Sequence, residues 1–135
     1  MNRLAAVPLT LATISLLVVG CSGESPVQQA GGVTAMVAQE RSDAGMAAQI
    51  SGTLTTTDSG CLAVAIEDVT YPLQFPFGTR LSDDGAEVVV PGLSPLHVGD
   101  HIEGGGGYIH LTDVPDECIA DNEYAEYAIW QSLSG

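Results

Sequence analysis

Apolar and polar residues alternate through the second half of the chain. Residues 50–55 alternate as a half-buried strand does, and a Gly-containing turn separates them from a second apolar run at 61–66. Further short apolar runs follow, with turns every 8–15 residues: 71–78, 86–90, 101–111 and 124–133. Five or six short strands without a helical pattern predict an all-β domain over residues 49–135, either a small barrel or a sandwich.

Two of these predicted strands contain residues that disturb a sheet. Pro72 and Pro76 lie in the third run, so we expect it at an edge or a bulge. Four consecutive glycines at 104–107 are expected to interrupt another strand, which resumes at Tyr108. We interpret them as a bend or a close approach of two backbones, because a phosphate-binding loop needs a lysine or a helix start after its glycines.

The first 20 residues have the composition of an export signal. A single positive charge at Arg3 precedes residues 4–19, which carry no charge and are rich in Leu, Val, Ala and Ile. This stretch is shorter than the about 20 residues that a transmembrane helix needs, and Pro8 weakens it as a helix. We therefore predict that residues 1–20 are a signal peptide.

The composition changes after Cys21. Residues 22–48 are rich in Gly, Gln, Ala and Ser and poor in aromatic residues, which is typical of a linker. We predict that residues 21–48 form a flexible tether, with at most a transient helix at 33–40.

The end of the leader resembles the bacterial lipobox. Val18, Val19 and Gly20 precede Cys21, with valine at position 18 where leucine is usual. The resemblance implies that the Cys21 sulfur receives a diacylglycerol and that the leader is cut before Cys21. It also implies acylation of the new amino terminus, palmitate included, and a location on the extracytoplasmic side of a cell membrane or outer membrane. Two or more acyl chains give stable anchoring, so the membrane becomes a partner through the lipid.

A second resemblance concerns the predicted β domain. Its motifs are Gly-Cys-Leu at 60–62, Phe-Pro-Phe-Gly-Thr at 75–79, Val-Gly-Asp-His-Ile at 98–102, the four glycines and Cys118. Together they resemble a pattern of uncharacterised bacterial envelope lipoproteins whose domain is a small OB-like β-barrel. The resemblance implies the fold and the location, and it brings no established activity.

Three cysteines are an odd number for an exported chain. Lipidation of Cys21 would account for one of them and leave Cys61 and Cys118 to form a disulfide, as an oxidising compartment favours.

The charge balance excludes one class of partner. The chain has 17 acidic residues, three arginines and no lysine, and Arg3 lies in the leader. No basic patch for phosphates can be assembled, so we expect no nucleic-acid partner and no attraction to anionic lipid headgroups. The acidity is explained either by solubility and salt adaptation or by attraction for cations or a basic partner.

No catalytic motif is present, and the absence of lysine excludes the chemistries that depend on it. His97, His101 and His110 are the only imidazoles, and they are candidate ligands for zinc or copper. Exposed histidines on loops and strand edges are the alternative that we favour. The acidic residues around Cys118 are a weaker candidate for calcium, since the segment lacks the order of an EF-hand.

We therefore expect no cofactor and a non-enzymatic β-barrel module that binds an envelope protein or a small ligand. The alternative is a metal-binding envelope protein that uses the three histidines. An open apolar groove near Tyr108 and Trp130 would favour a small ligand, whereas a filled barrel would favour recognition at the surface.

Overall fold

Strands and turns account for the fold. A computed structural model describes residues 26–41 and 45–133, and those residues contain one short 3-10 helix and no α-helix. The elements are β1 Val27–Ala30, β2 Val33–Val37, β3 Ala48–Thr56, β4 Leu62–Ile66, β5 Val69–Phe75, β6 Arg80–Leu81, β7 Val88–Val89, β8 His101–Ile109, the 3-10 helix η1 Asp116–Cys118 and β9 Tyr127–Ser132. In this part of the chain no helix is long and apolar enough to cross a bilayer.

Five of these strands close into a barrel. The order around it is β3-β4-β5-β9-β8, and β8 returns to pair with β3. Every pair is antiparallel except β5 and β9, which are parallel. If the five barrel strands are numbered 1 to 5 in chain order, their order around the barrel is 1-2-3-5-4, which is the strand order of an OB-fold. The predicted all-β, OB-like barrel is confirmed.

Apolar side chains fill the barrel interior. The alternation that predicted the first strand places Ile50 and Leu54 on its inner face, and both are fully buried. Trp130 of β9 is 1% exposed, and its ring centroid lies 6.2 Å from that of Phe75. The indole N–H of Trp130 donates a hydrogen bond to the carbonyl of Ser132 at 2.9 Å. A filled interior favours recognition at the surface.

The four glycines do not interrupt a strand, so that expectation is wrong. β8 runs through residues 104–107 without a break and shifts register against β9 between Gly105 and Gly106. A Cβ on Gly106 would overlap the carbonyl oxygen of Ile129 in β9. The interpretation of these glycines as a site of close backbone approach is confirmed.

The prolines do not confine β5 to an edge either. β5 pairs with β4 along 69–72, with β9 at Leu73 and Gln74, and with β2 at its end. Pro72 has no N–H, but the pairing with β9 begins only at the next residue. Pro76 follows the last residue of the strand. The position of each proline relative to the ladders therefore permits a central strand.

The predicted tether is wrong for residues 27–37. They form the hairpin of β1 and β2, and the end of β2 pairs in parallel with the end of β5. Ala35 and Val37 are buried in the main core, and Met36 is buried in a second apolar cluster on the other face. The Thr34 N–H also donates a hydrogen bond to the Gly60 carbonyl at 2.9 Å. The folded domain thus extends back to about Pro26, and no helix forms at 33–37.

One side chain joins this hairpin to the rest of the domain. The Gln28 amide nitrogen donates to the Thr79 carbonyl at 2.9 Å, and its oxygen accepts from the Leu81 N–H at 2.7 Å. Leu81 belongs to β6, which pairs only with β7 in a separate two-stranded sheet. Gln28 therefore completes hydrogen bonding between the N-terminal hairpin and this second sheet.

Candidate ligand-binding cleft

Cys61 and Cys118 form the predicted disulfide. Their sulfur atoms are 2.02 Å apart, their Cα atoms are 5.1 Å apart, and both residues are fully buried. Cys61 immediately precedes β4, whereas Cys118 ends η1 within the long connection between β8 and β9. The bond therefore fixes that connection to the turn between β3 and β4. Cys21, the predicted lipidation site, lies outside the described residues.

The connection between β8 and β9, residues 110–126, is also held by side chains. The Ala120 N–H donates to the Tyr127 hydroxyl at 2.9 Å. The Asn122 amide donates to the carbonyl of Glu126 at 2.9 Å, and its oxygen accepts from two backbone N–H groups. These hydrogen bonds satisfy backbone N–H and carbonyl groups in a turn that lies outside every strand ladder. The segment is thus positioned to serve as a fixed wall.

Each of the three histidines has its own neighbour. His97 Nε2 lies 3.2 Å from Glu87 Oε1, and His101 Nε2 lies 3.0 Å from Glu103 Oε1. His110 Nδ1 lies 3.1 Å from the Ala125 carbonyl oxygen. Within residues 26–41 and 45–133, no group of three His, Cys, Asp or Glu side chains is arranged to hold a metal ion. All three histidines are exposed, as we expected for histidines on loops and strand edges.

A cleft of about 720 Å³ lies between the N-terminal hairpin and the connection between β8 and β9. This volume falls within the range of small-molecule pockets. One wall comes from residues 26–40, the other from residues 111–115, and Gln74 of β5 lies between them. The lining residues are Pro26, Val27, Met36, Val37, Ala38, Gln39, Glu40, Gln74, Leu111, Asp113, Val114 and Pro115.

The disulfide and the cleft belong to the same apolar cluster. Met36 packs in that cluster with Cys61, Cys118 and Tyr127, and Leu111 and Val114 pack against its edge. The half-buried side chains of Leu111 and Val114 therefore face the cleft with the disulfide behind them. Closing the disulfide sets the position of this wall before any ligand binds, which lowers the entropic cost of binding.

The groups in the cleft are suited to binding through apolar contact and charge. Eight of the lining residues are apolar, whereas Glu40 and Asp113 are exposed carboxylates, and neither Arg41 nor Arg80 lines the cleft. Arg41, next along the chain, places its guanidinium 5.8 Å from the centre of the Phe77 ring. The cleft can thus accept a ligand that has both apolar surface and positive charge.

Sequence reasoning missed this site because one of its walls was assigned to the tether. The other wall, residues 111–115, was divided between the end of the predicted strand at Leu111 and the acidic residues considered for calcium, which begin at Asp113. Val33, Ala35 and Val37 do recur at every second position, but Met36 between them is also apolar, so the period of two is a weak signal here.

Two half-buried tyrosines, one on β5 and one on β8, form a pair that packs against the main core. The ring centroids of Tyr71 and Tyr108 are 4.8 Å apart, and the Tyr108 hydroxyl donates to the Gln49 carbonyl at 3.3 Å. Burial raises the pKa of both phenols above the ordinary tyrosine value. The negative charge of Glu126 raises the pKa of Tyr71 further, and the neighbouring Tyr71 and then Glu126 raise that of Tyr108.

This pair predicts a loss of stability in alkali. Above about pH 10 the tyrosines of the unfolded chain lose their protons while those of the folded chain retain them. The unfolded state then binds fewer protons, so the free energy of unfolding falls as the pH rises. We expect the urea midpoint to decrease between about pH 9 and about pH 11, and to decrease less in a Tyr71→Phe/Tyr108→Phe variant. Equal slopes in the two proteins would contradict this assignment.

Comparison with known proteins finds no matching family model, no matching curated protein and no matching solved structure.

Proposed function

We propose that this chain is a lipid-anchored envelope lipoprotein whose OB-like barrel is a non-enzymatic module that binds a partner or ligand in the cleft. The observation that carries the proposal is the pairing of Cys61 with Cys118. It accounts for two of the three cysteines and leaves Cys21, which ends the lipobox-like sequence, as the residue available for a lipid.

The same disulfide supports an extracytoplasmic location. Structural disulfides form and persist in oxidising compartments and are rare in reducing ones. Both sulfur atoms are fully buried, so this pair serves the fold and is shielded from exchange with other thiols. A buried disulfide is therefore consistent with the export that the leader and the lipobox-like motif predict.

The composition of the cleft supports its proposed use for binding. Its lining consists of apolar side chains, two glutamines and two carboxylates. Apolar walls with a few polar groups that fix orientation are typical of recognition sites.

The anchor can be tested in a bacterium that expresses the full chain and is fed labelled palmitate. We expect the native chain to carry the label and to sediment with membranes. The Cys21→Ser variant should lose the label and leave the membrane fraction, because no sulfur remains for the diacylglycerol. The neighbouring change Ser22→Ala is the matched control and should keep both properties. Label on the Cys21→Ser protein, or an unlabelled native chain in the soluble fraction, would refute the anchor.

A further inference from the structure

We propose that the occupant of the cleft is a polypeptide segment, from a partner held at the membrane, that carries lysine or arginine beside apolar side chains. This inference rests on the proposed anchor at Cys21 and on the proposed use of the cleft for binding. Three observations support it: the apolar walls, the charge of the domain, and the short chain between the anchor and the cleft.

The apolar half of the occupant follows from the two walls. Val27 on the hairpin and Leu111, Val114 and Pro115 on the opposite wall are all half-buried, so each retains apolar surface that a ligand can cover. Burying such surface contributes about 25 cal/mol for each Å² removed from water. The walls come from separate parts of the chain, which suits an extended segment that presents side chains to both.

The basic half of the occupant follows from charge complementarity. Glu40 and Asp113 are exposed at the cleft, one on each wall. The chain as a whole has 17 acidic residues against three arginines, one of which lies in the proposed leader, so its net field attracts cations. A basic segment would gain from this field during encounter and from the two carboxylates once bound. Anionic lipid headgroups would be repelled by the same charges, which disfavours a lipid as the occupant.

The position of the partner follows from the length of the chain. Pro26 lines the cleft, and it is five residues after Cys21. Even when fully extended, five residues span at most about 18 Å. A lipid on Cys21 would therefore hold the cleft close to the membrane surface, within reach of segments that adjoin a membrane.

The test uses the full chain, expressed with its leader, purified from the membrane fraction and placed in nanodiscs of zwitterionic lipid. The probe is a fluorescent peptide of alternating lysine and leucine, titrated by anisotropy with empty nanodiscs as the blank. Three comparison peptides alternate glutamate with leucine, lysine with serine, and serine with leucine. We expect the lysine–leucine peptide to bind at least about tenfold more tightly than each of the others, since each lacks one of the two complementary features. These peptide changes cannot unfold the protein.

A pair of matched variants locates the binding. Glu40→Gln/Asp113→Asn should weaken binding about tenfold, because two charge pairs are lost at the cleft. Asp58→Asn/Asp83→Asn removes the same net charge from exposed positions that do not line the cleft, and it should change the affinity less than about twofold. Equal losses in the two variants, or equal binding of the glutamate–leucine or serine–leucine peptide, would overturn the inference.

Failure of this inference is distinct from failure of the anchor. A chain that carries palmitate but shows no preference for the lysine–leucine peptide refutes the occupant alone. A chain that is exported without palmitate refutes the anchor, and the same titration on that soluble protein still decides the chemistry of the cleft.

Discussion

Replacing Cys61 and Cys118 together by alanine is expected to lower the free energy of unfolding by about 4 kcal/mol. The two residues are 57 positions apart, and a cross-link over that separation removes much of the conformational freedom of the unfolded chain. The folded domain is small, so a loss of this size is a large fraction of its total stability. Urea unfolding followed by the fluorescence of Trp130, the only tryptophan and a buried one, measures the change.

Two controls separate the cross-link from other effects of the substitutions. The native protein in a strong reductant should unfold close to the midpoint of the double alanine variant. Cys21→Ser should leave the midpoint unchanged, because that cysteine takes no part in the disulfide. A double variant destabilised by less than about 1 kcal/mol would refute the importance of the cross-link.

Gly106→Ala is expected to destabilise the domain by about 3 kcal/mol or more, or to prevent folding. The added methyl group would overlap the carbonyl oxygen of Ile129, which belongs to the backbone of β9, and it would also press on Ile50 in the core. Neither neighbour can move without disturbing the ladder that closes the barrel. Thermal and urea unfolding of the purified variant measure the effect.

Gly105→Ala is the matched control for that substitution. It lies in the same strand, but its added methyl group would meet the hydroxyl of Ser132, an exposed side chain that can rotate away. We expect it to cost less than about 1 kcal/mol. Similar losses at positions 105 and 106 would mean that strand propensity, not close backbone approach, explains the glycines.

The barrel could be predicted because its strands carry their own signals. Ile50 and Leu54 alternate with smaller or polar neighbours, and the turns before Cys61 and before His101 mark the limits of strands. The glycines of β8 weaken its strand pattern in the sequence. They are needed because the backbone of the neighbouring strand β9 lies close to them. The close approach of β9 becomes visible only when the two strands are side by side.

The N-terminal hairpin could not be predicted from composition. β2 buries Ala35 and Val37 on one face and Met36 on the other, so it lacks the contrast between buried and exposed faces that marks a half-buried strand. β2 has no aromatic residue and is followed and preceded by small residues, a composition that is also typical of linkers. The candidate cleft was missed for the same reason, since it needs this hairpin as a wall.

The hydrogen bonds of Gln28 have a consequence for behaviour at high concentration. A strand at the end of a sheet offers unpaired N–H and carbonyl groups that a second copy can join, which is a route to fibrils. The Gln28 amide occupies the Thr79 carbonyl and the Leu81 N–H, groups that an incoming strand would otherwise use. With both groups already bonded to Gln28, neither is free to pair with a strand of a second copy, which removes two points at which edge-to-edge association could begin.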